Sequence, residues 1–167
     1  MKIENPLALR YILSDDLYLL NSDKHQFTGV ASKEEITALP ALNLNYFGGN
    51  KKNFLVIVHY VDATFINEQH LSALESTLKR LNFGLDDVAI FNISGNDEIM
   101  FQAVADFFKP QKLLILGKET LLPGNEPLPF NNITTLANCR TLHTFSFSQM
   151  MDNTENKKTF WEQMKQL

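Results

Sequence analysis

The fold class this sequence predicts is a three-layer α/β/α domain built on a mostly parallel central sheet, and two observations predict it. The apolar runs at residues 54–60, 88–93 and 112–117 are rich in β-branched and aliphatic residues and show no alternation, as strands covered on both faces do. Between them lie segments with helical apolar spacing. Strands that alternate with helices through short connections form parallel sheets with helices on both sides.

Taken in order, residues 7–20 combine helical spacing (Leu7, Leu9, Ile12, Leu13), a Ser14-Asp15-Asp16 break and the run Leu17-Tyr18-Leu19-Leu20, which predicts a short helix, a turn and an extended segment. Residues 21–33 are polar around Gly29 and predict a hairpin-like or loop connection. Gly48-Gly49, followed by Asn50-Lys51-Lys52, reads as a turn. After the first buried strand, Asn67 is placed to cap a helix whose stripe of Leu71, Leu74, Leu78 and Leu81 ends at Gly84. A strand at 88–93 follows, then a helix over 97–108 stopped before Pro110, then a strand at 112–117. A loop rich in Pro and Asn spans 122–132. A last strand at 140–147 is expected to lead directly into an Asn153-capped helix that carries Trp161, with Phe160 and Trp161 as core anchors.

With 167 residues and 44% hydrophobic content, the chain can bury one sizeable core, and a single domain over 1–167 is expected. A net charge of -4 speaks against an extensive nucleic-acid surface, which needs clustered Lys and Arg. No apolar run reaches the roughly 18 residues that span a bilayer, and the first residues lack a signal peptide's apolar core, so a cytoplasmic location is expected. Cys139 is the only cysteine, which excludes an internal disulfide and a cysteine-rich zinc site.

Open parallel sheets bind ligands at the carboxyl ends of their strands. There, His59-Tyr60-Val61-Asp62-Ala63-Thr64 contains no glycine, so neither a dinucleotide fingerprint nor a phosphate-cradling loop fits. His59 and Asp62 are of the residue types that act as acid and base, but a histidine at a strand end reads more simply as hydrogen-bonded scaffold, and no motif places a nucleophile beside them. His25, His70 and His143 do not combine with carboxylates at metal-ligand spacing. Asp86-Asp87 reads as turn chemistry, and Cys139 as a packed thiol. No catalytic residue, metal ligand or cofactor is assigned.

The closing segment, Asn153 followed by Lys157-Lys158 and Trp161, resembles that of the uracil-DNA-glycosylase-like superfamily, where a histidine-proline-serine loop precedes a final helix with Asn-Pro, a basic pair and an aromatic residue. The resemblance extends over residues 54–94 and 113–117, and implies that fold. Aligning Asn153 and the basic pair puts Ser146-Phe147-Ser148 where histidine-proline-serine would stand, so Ser146 takes the place of the catalytic histidine. Only Asp62 stands in for the acid of the first loop, whose Gly/Pro framework is gone. The resemblance therefore implies a vestigial ligand pocket of His59, Tyr60, Asp62, Asn92, Ser146 and Ser148.

Within the superfamily the combination is similar to the psi subunits of bacterial DNA polymerase III, a non-enzymatic family. The stretch from Leu9 to Leu20 resembles the psi N-terminal segment, with Tyr18 where that family commonly has tryptophan. The glycine before this segment is missing, and Asn21-Ser22 replaces the basic pair after it. What this implies is an adaptor: Leu13, Leu17, Tyr18 and Leu20 within residues 1–22 dock on clamp-loader subunits, while the folded domain holds a chi-like partner. The same four residues equally suit packing on the domain's own sheet. An enzymatic alternative, a divergent glycosylase using Asp62 with His59 or His143, would need Tyr60 or Phe65 to stack on a base and Lys51, Lys52 and Lys118 to hold a strand. A small-ligand-binding α/β domain is the third reading.

Overall fold

A computed structural model of the protein describes residues 44–96, 98–124, 128–136 and 138–167, all within the compact unit Leu42–Leu167. The readings at residues 1–22 and 21–33, including Leu13, Leu17, Tyr18 and Leu20, lie outside the described residues. Five strands form one sheet: β1 (Phe54–Val58), β2 (Val88–Asn92), β3 (Lys112–Leu116), β4 (Ile133–Leu136) and β5 (Cys139–Thr144), in the order β2-β1-β3-β5-β4. The first four in that order run parallel, and β4 pairs antiparallel with β5 at the edge. The helices are α1 (Glu68–Arg80), α2 (Phe101–Phe108), α3 (Phe147–Met151) and α4 (Thr154–Met164).

The register explains why β1, β2 and β3 are almost wholly apolar. Ile90, Val56, Leu114 and Leu142 align across four strands and join one core with Leu74 and Leu78 of α1, Phe147 and Met150 of α3, and Phe160 and Met164 of α4. One residue further along, Phe91, Ile57 and Ile115 turn to the opposite face, where they meet Phe101, Val104 and Phe108 of α2. Successive side chains thus enter different cores, one under α1, α3 and α4 and the other under α2, and every position of β1 and β2 is buried.

Helix ends follow from local chemistry, not always where the sequence reading placed them. Asn67 caps α1, its side chain accepting from Gln69 N, as expected. The helix ends before Gly84, however, because Asn82 takes up φ +59 and closes it: Phe83 N donates to Leu78 O and Asn82 N to Lys79 O, at 3.0 and 3.1 Å. This is a Schellman ending with Asn at the left-handed position, and Gly84 is extended. Helix α2 starts at Phe101, not in the 97–108 window's first turn, since Met100 is extended and Phe101 N donates to Pro123 O across the loop.

Two corrections concern the carboxyl-terminal part. The strand expected at 140–147 is β5, Cys139–Thr144, and Phe147 instead opens α3, so the terminal helix does not follow directly on a strand. Strand β4 was not anticipated; Thr134 and Thr135 alternate poorly with apolar residues, and only an edge position accommodates them. Asn153 caps α4, accepting from Glu155 N and Asn156 N. Phe160 is buried, but Trp161 is only partly so.

At the other edge, Phe47 bridges Ile90 in antiparallel fashion, and the N–H groups of Gly49, Asn50, Lys51 and Lys52 donate to carbonyls between Leu85 and Val88. Gly48, at φ +106, makes this approach possible, because a Cβ there would overlap the carbonyl oxygens of Val88 and Leu85. Gly48→Ala is therefore expected to lower stability by about 3 kcal/mol. Gly95→Ala, at φ +79 with open space around its Cβ, bears only the dihedral penalty, about 1 kcal/mol. Urea unfolding of the two variants measures the difference, and equal losses would refute the close-approach argument.

Candidate functional site

A half-open cavity of about 460 Å³ sits at the carboxyl ends of β1 and β3, the position that the parallel topology favours for a site. Its wall combines the loop after β1 (His59 to Ala63), the first turn of α1 with its cap (Asn67, His70), Glu119 after β3, and Ser146, Phe147 and Ser148 at the start of α3. Five of the six residues expected in a pocket, His59, Tyr60, Asp62, Ser146 and Ser148, are thus brought together from positions far apart in sequence.

Asn92, the sixth, stands behind the wall and holds it. It is 6% exposed at the end of β2. Its Oδ1 accepts from Tyr60 N at 2.9 Å and Ser94 N at 3.2 Å, while Nδ2 donates to the carbonyls of Tyr60 and Ala63, both at 2.8 Å. A turn without glycine or proline has no intrinsic preference for this path, and the amide supplies the hydrogen bonds that its backbone would otherwise lack.

Tyr60 and His70 form the best-defined polar pair of the wall, with Tyr60 Oη and His70 Nδ1 2.7 Å apart. Burial pushes the phenol up to about 12 and holds the imidazole below its usual value. The direction of this bond follows the imidazole tautomer: with the ring proton on Nε2 the phenol donates to Nδ1, and with it on Nδ1 the ring donates to the phenol oxygen. The ring lies nearly parallel to Phe147, with 5.6 Å between centroids. Sequence reasoning considered His70 only as a metal ligand, yet its place in the first turn after a cap at the end of β1 was a usable signal. Glu119 was missed as well, although it follows a strand whose end was recognised.

No protein-family model matches this sequence, and no curated protein matches it.

What the cavity can do chemically is limited by how its groups are already engaged. Ser146 Oγ accepts from Gln149 N, and Gln149 Oε1 accepts from Ser146 N in return, so the hydroxyl serves as the cap of α3. Asp62 is exposed at the rim, and among the described residues no hydrogen bond joins it to His59. His143, the other histidine of the enzymatic alternative, follows Leu142 in β5 and so shares the row of Ile57, Ile115 and Phe91, on the face away from the cavity. It is 4% exposed, its Nε2 lies 3.2 Å from Gly117 O, and burial lowers its pKa. Cys139 is buried on that same face, and burial pushes its thiol up to about 11.

No lysine or arginine lines the cavity. Lys51 and Lys52 pair with Asp86 and Asp87 at 2.7 and 2.9 Å, beside the amino-terminal end of β2, at the opposite end of the sheet. Lys118 lies over the Phe130 ring. Among the described residues, no group of three His, Cys, Asp or Glu side chains is arranged to hold a metal ion, and no helix is long and apolar enough to cross a membrane.

Two expectations follow. Asn92→Ala should lower stability by about 2–4 kcal/mol, and Asn92→Asp by as much despite its identical shape, because a carboxylate would face two carbonyls; denaturant unfolding checks both, and an Asn92→Asp chain as stable as the parent would rule out the clamp. For Tyr60 the sign is that of a raised pKa: the proton is held more tightly when folded, so its contribution is complete below pH 10.0 and lost as the pH climbs towards about 12. An alkaline titration followed by phenolate absorbance should show a late-titrating component that is missing from Tyr60→Phe.

Proposed function

We propose that this chain is a non-enzymatic adaptor of the psi-subunit kind, with a uracil-DNA-glycosylase-like fold whose base-cleaving loops have lost their chemistry. The observation that carries the reading is the convergence of His59–Ala63 and Ser146–Ser148 on one cavity. These are the two loops that the resemblance aligns with the catalytic loops of glycosylases, and the position aligned with the catalytic histidine is a serine engaged in capping a helix. A three-layer arrangement around a mostly parallel sheet supports the finer fold reading.

Electrostatics favour the adaptor over the enzyme. A glycosylase must hold a polyanionic strand while a base enters the site. Here the cavity is lined by Asp62 and Glu119 without a cation, and two of the three lysines that an enzymatic reading requires are paired elsewhere. In the adaptor reading, Leu13, Leu17, Tyr18 and Leu20 contact clamp-loader subunits, the folded domain holds a chi-like partner, and the assembly is cytoplasmic. The cavity itself is what keeps a second reading, a glycosylase or a small-ligand domain, open to test.

The test is an affinity pull-down with the parent chain and a Leu17→Asp, Tyr18→Ala variant, read by mass spectrometry. Clamp-loader subunits should be retained by the parent and lost by the variant. Release of uracil from a uracil-containing single strand by the purified chain, or a parent chain that retains no clamp-loader subunit, would sink the adaptor reading.

A further inference from the structure

A second concavity, separate from the cavity, lies between α1 and the two terminal helices. It is a groove of about 200 Å³, floored by Met150 and Phe160 and walled by the half-buried Trp161. Helical spacing builds it. Ala73, Thr77 and Arg80 recur at intervals of four and three along α1, while Lys157 and Trp161 stand one turn apart on α4. Ala73 and Thr77 are too small to fill the space opposite the indole, so among the described residues the groove is open, with room for one large apolar side chain.

Its charge is the informative property. Both ionised residues of the lining are cations: Arg80, whose guanidinium carbon is 5.6 Å from the centre of the Trp161 ring, and Lys157. Neither takes part in a salt bridge among the described residues, whereas Lys51, Lys52 and Lys79 all do. On a chain of net charge -4, an apolar slot flanked by two cations that no described acid pairs suits a ligand that is apolar in the middle and negative at the sides. The flexible thioether of Met150 lets the floor adapt to the shape of the inserted side chain.

We propose that this groove docks an acidic amphipathic segment of a protein partner, placing a Leu- or Phe-sized side chain beside Trp161 and carboxylates against Arg80 and Lys157. The proposal rests on the adaptor reading and gives its partner a chemistry. A nucleic-acid strand is the less fitting anion, because an apolar slot of this size rewards a buried side chain and leaves a phosphate unsolvated.

Trp161 is the only tryptophan of the chain, so its emission reports on the groove directly. The probes are two short synthetic peptides with the same helical pattern of Leu and Phe, one carrying Glu and Asp at its polar positions and the other Lys, together with a short oligothymidylate. On the intact parent chain, the acidic peptide should shift Trp161 emission to the blue and bind at least about tenfold more tightly than the basic peptide. The Arg80→Glu, Lys157→Glu variant should reverse that order, and binding of the basic peptide also shows that the variant is folded. Equal affinity for both peptides on the parent chain, or oligothymidylate binding as tightly as the acidic peptide, would overturn the proposal without recourse to any variant. The adaptor reading is judged separately by retention of clamp-loader subunits, so a chain that retains them and ignores the acidic peptide refutes the groove alone.

Discussion

Coverage of the sheet on both faces is the constraint from which the rest of this structure follows. Because every residue of β1, and every residue of β2 before Asn92, enters one of two helix-covered cores, polar groups have no place along these strands and collect at their ends. Asn92 is the instructive case. It is the last residue of β2, where the core stops and an unsupported backbone begins, and its amide meets both needs at once by being buried on one side and bonded to the loop on the other.

The same constraint governs how much of the molecule was legible in the sequence. The central strands and α1 were readable because doubly covered strands are uninterrupted apolar runs and Asn67 is an unambiguous cap. Strand β4 was not, because a four-residue edge strand with two threonines leaves no periodic signal. Helix boundaries moved where a second residue could do the expected residue's work, as Asn82 does in place of Gly84. Of the cavity, the residues that follow β1 were legible through the carboxyl-end rule, whereas Ser146 and Ser148 came only from the resemblance of the closing segment, since the strand expected at 140–147 ran through Ser146. His70 and Glu119 were not legible, since their contribution depends on how α1 and the turn after β3 come round to face that end. Asn92 was found and its role misjudged, because sequence position places a residue near a wall without saying on which side of it.

Two concave features of opposite character therefore share one small unit. The cavity at the strand ends is polar and carries carboxylates without cations; the groove beside Trp161 is apolar and carries cations without carboxylates. A surface divided in this way presents opposite signs of charge at two places while the chain as a whole stays acidic.

The segment around Gly48 has a consequence for how these molecules coexist at high concentration. By donating its N–H groups to the carbonyls of residues 85–88 and bridging Ile90, it occupies the outer side of the strand that would otherwise end the sheet. A second chain arriving there finds no ladder to extend, and the charged pairs of Lys51 and Lys52 with Asp86 and Asp87 add a hydrated rim. Among the described residues, the sheet's other margin is β4, which at four residues is too short to template an added strand well. The glycine that lets two backbones meet thus also covers a sheet edge.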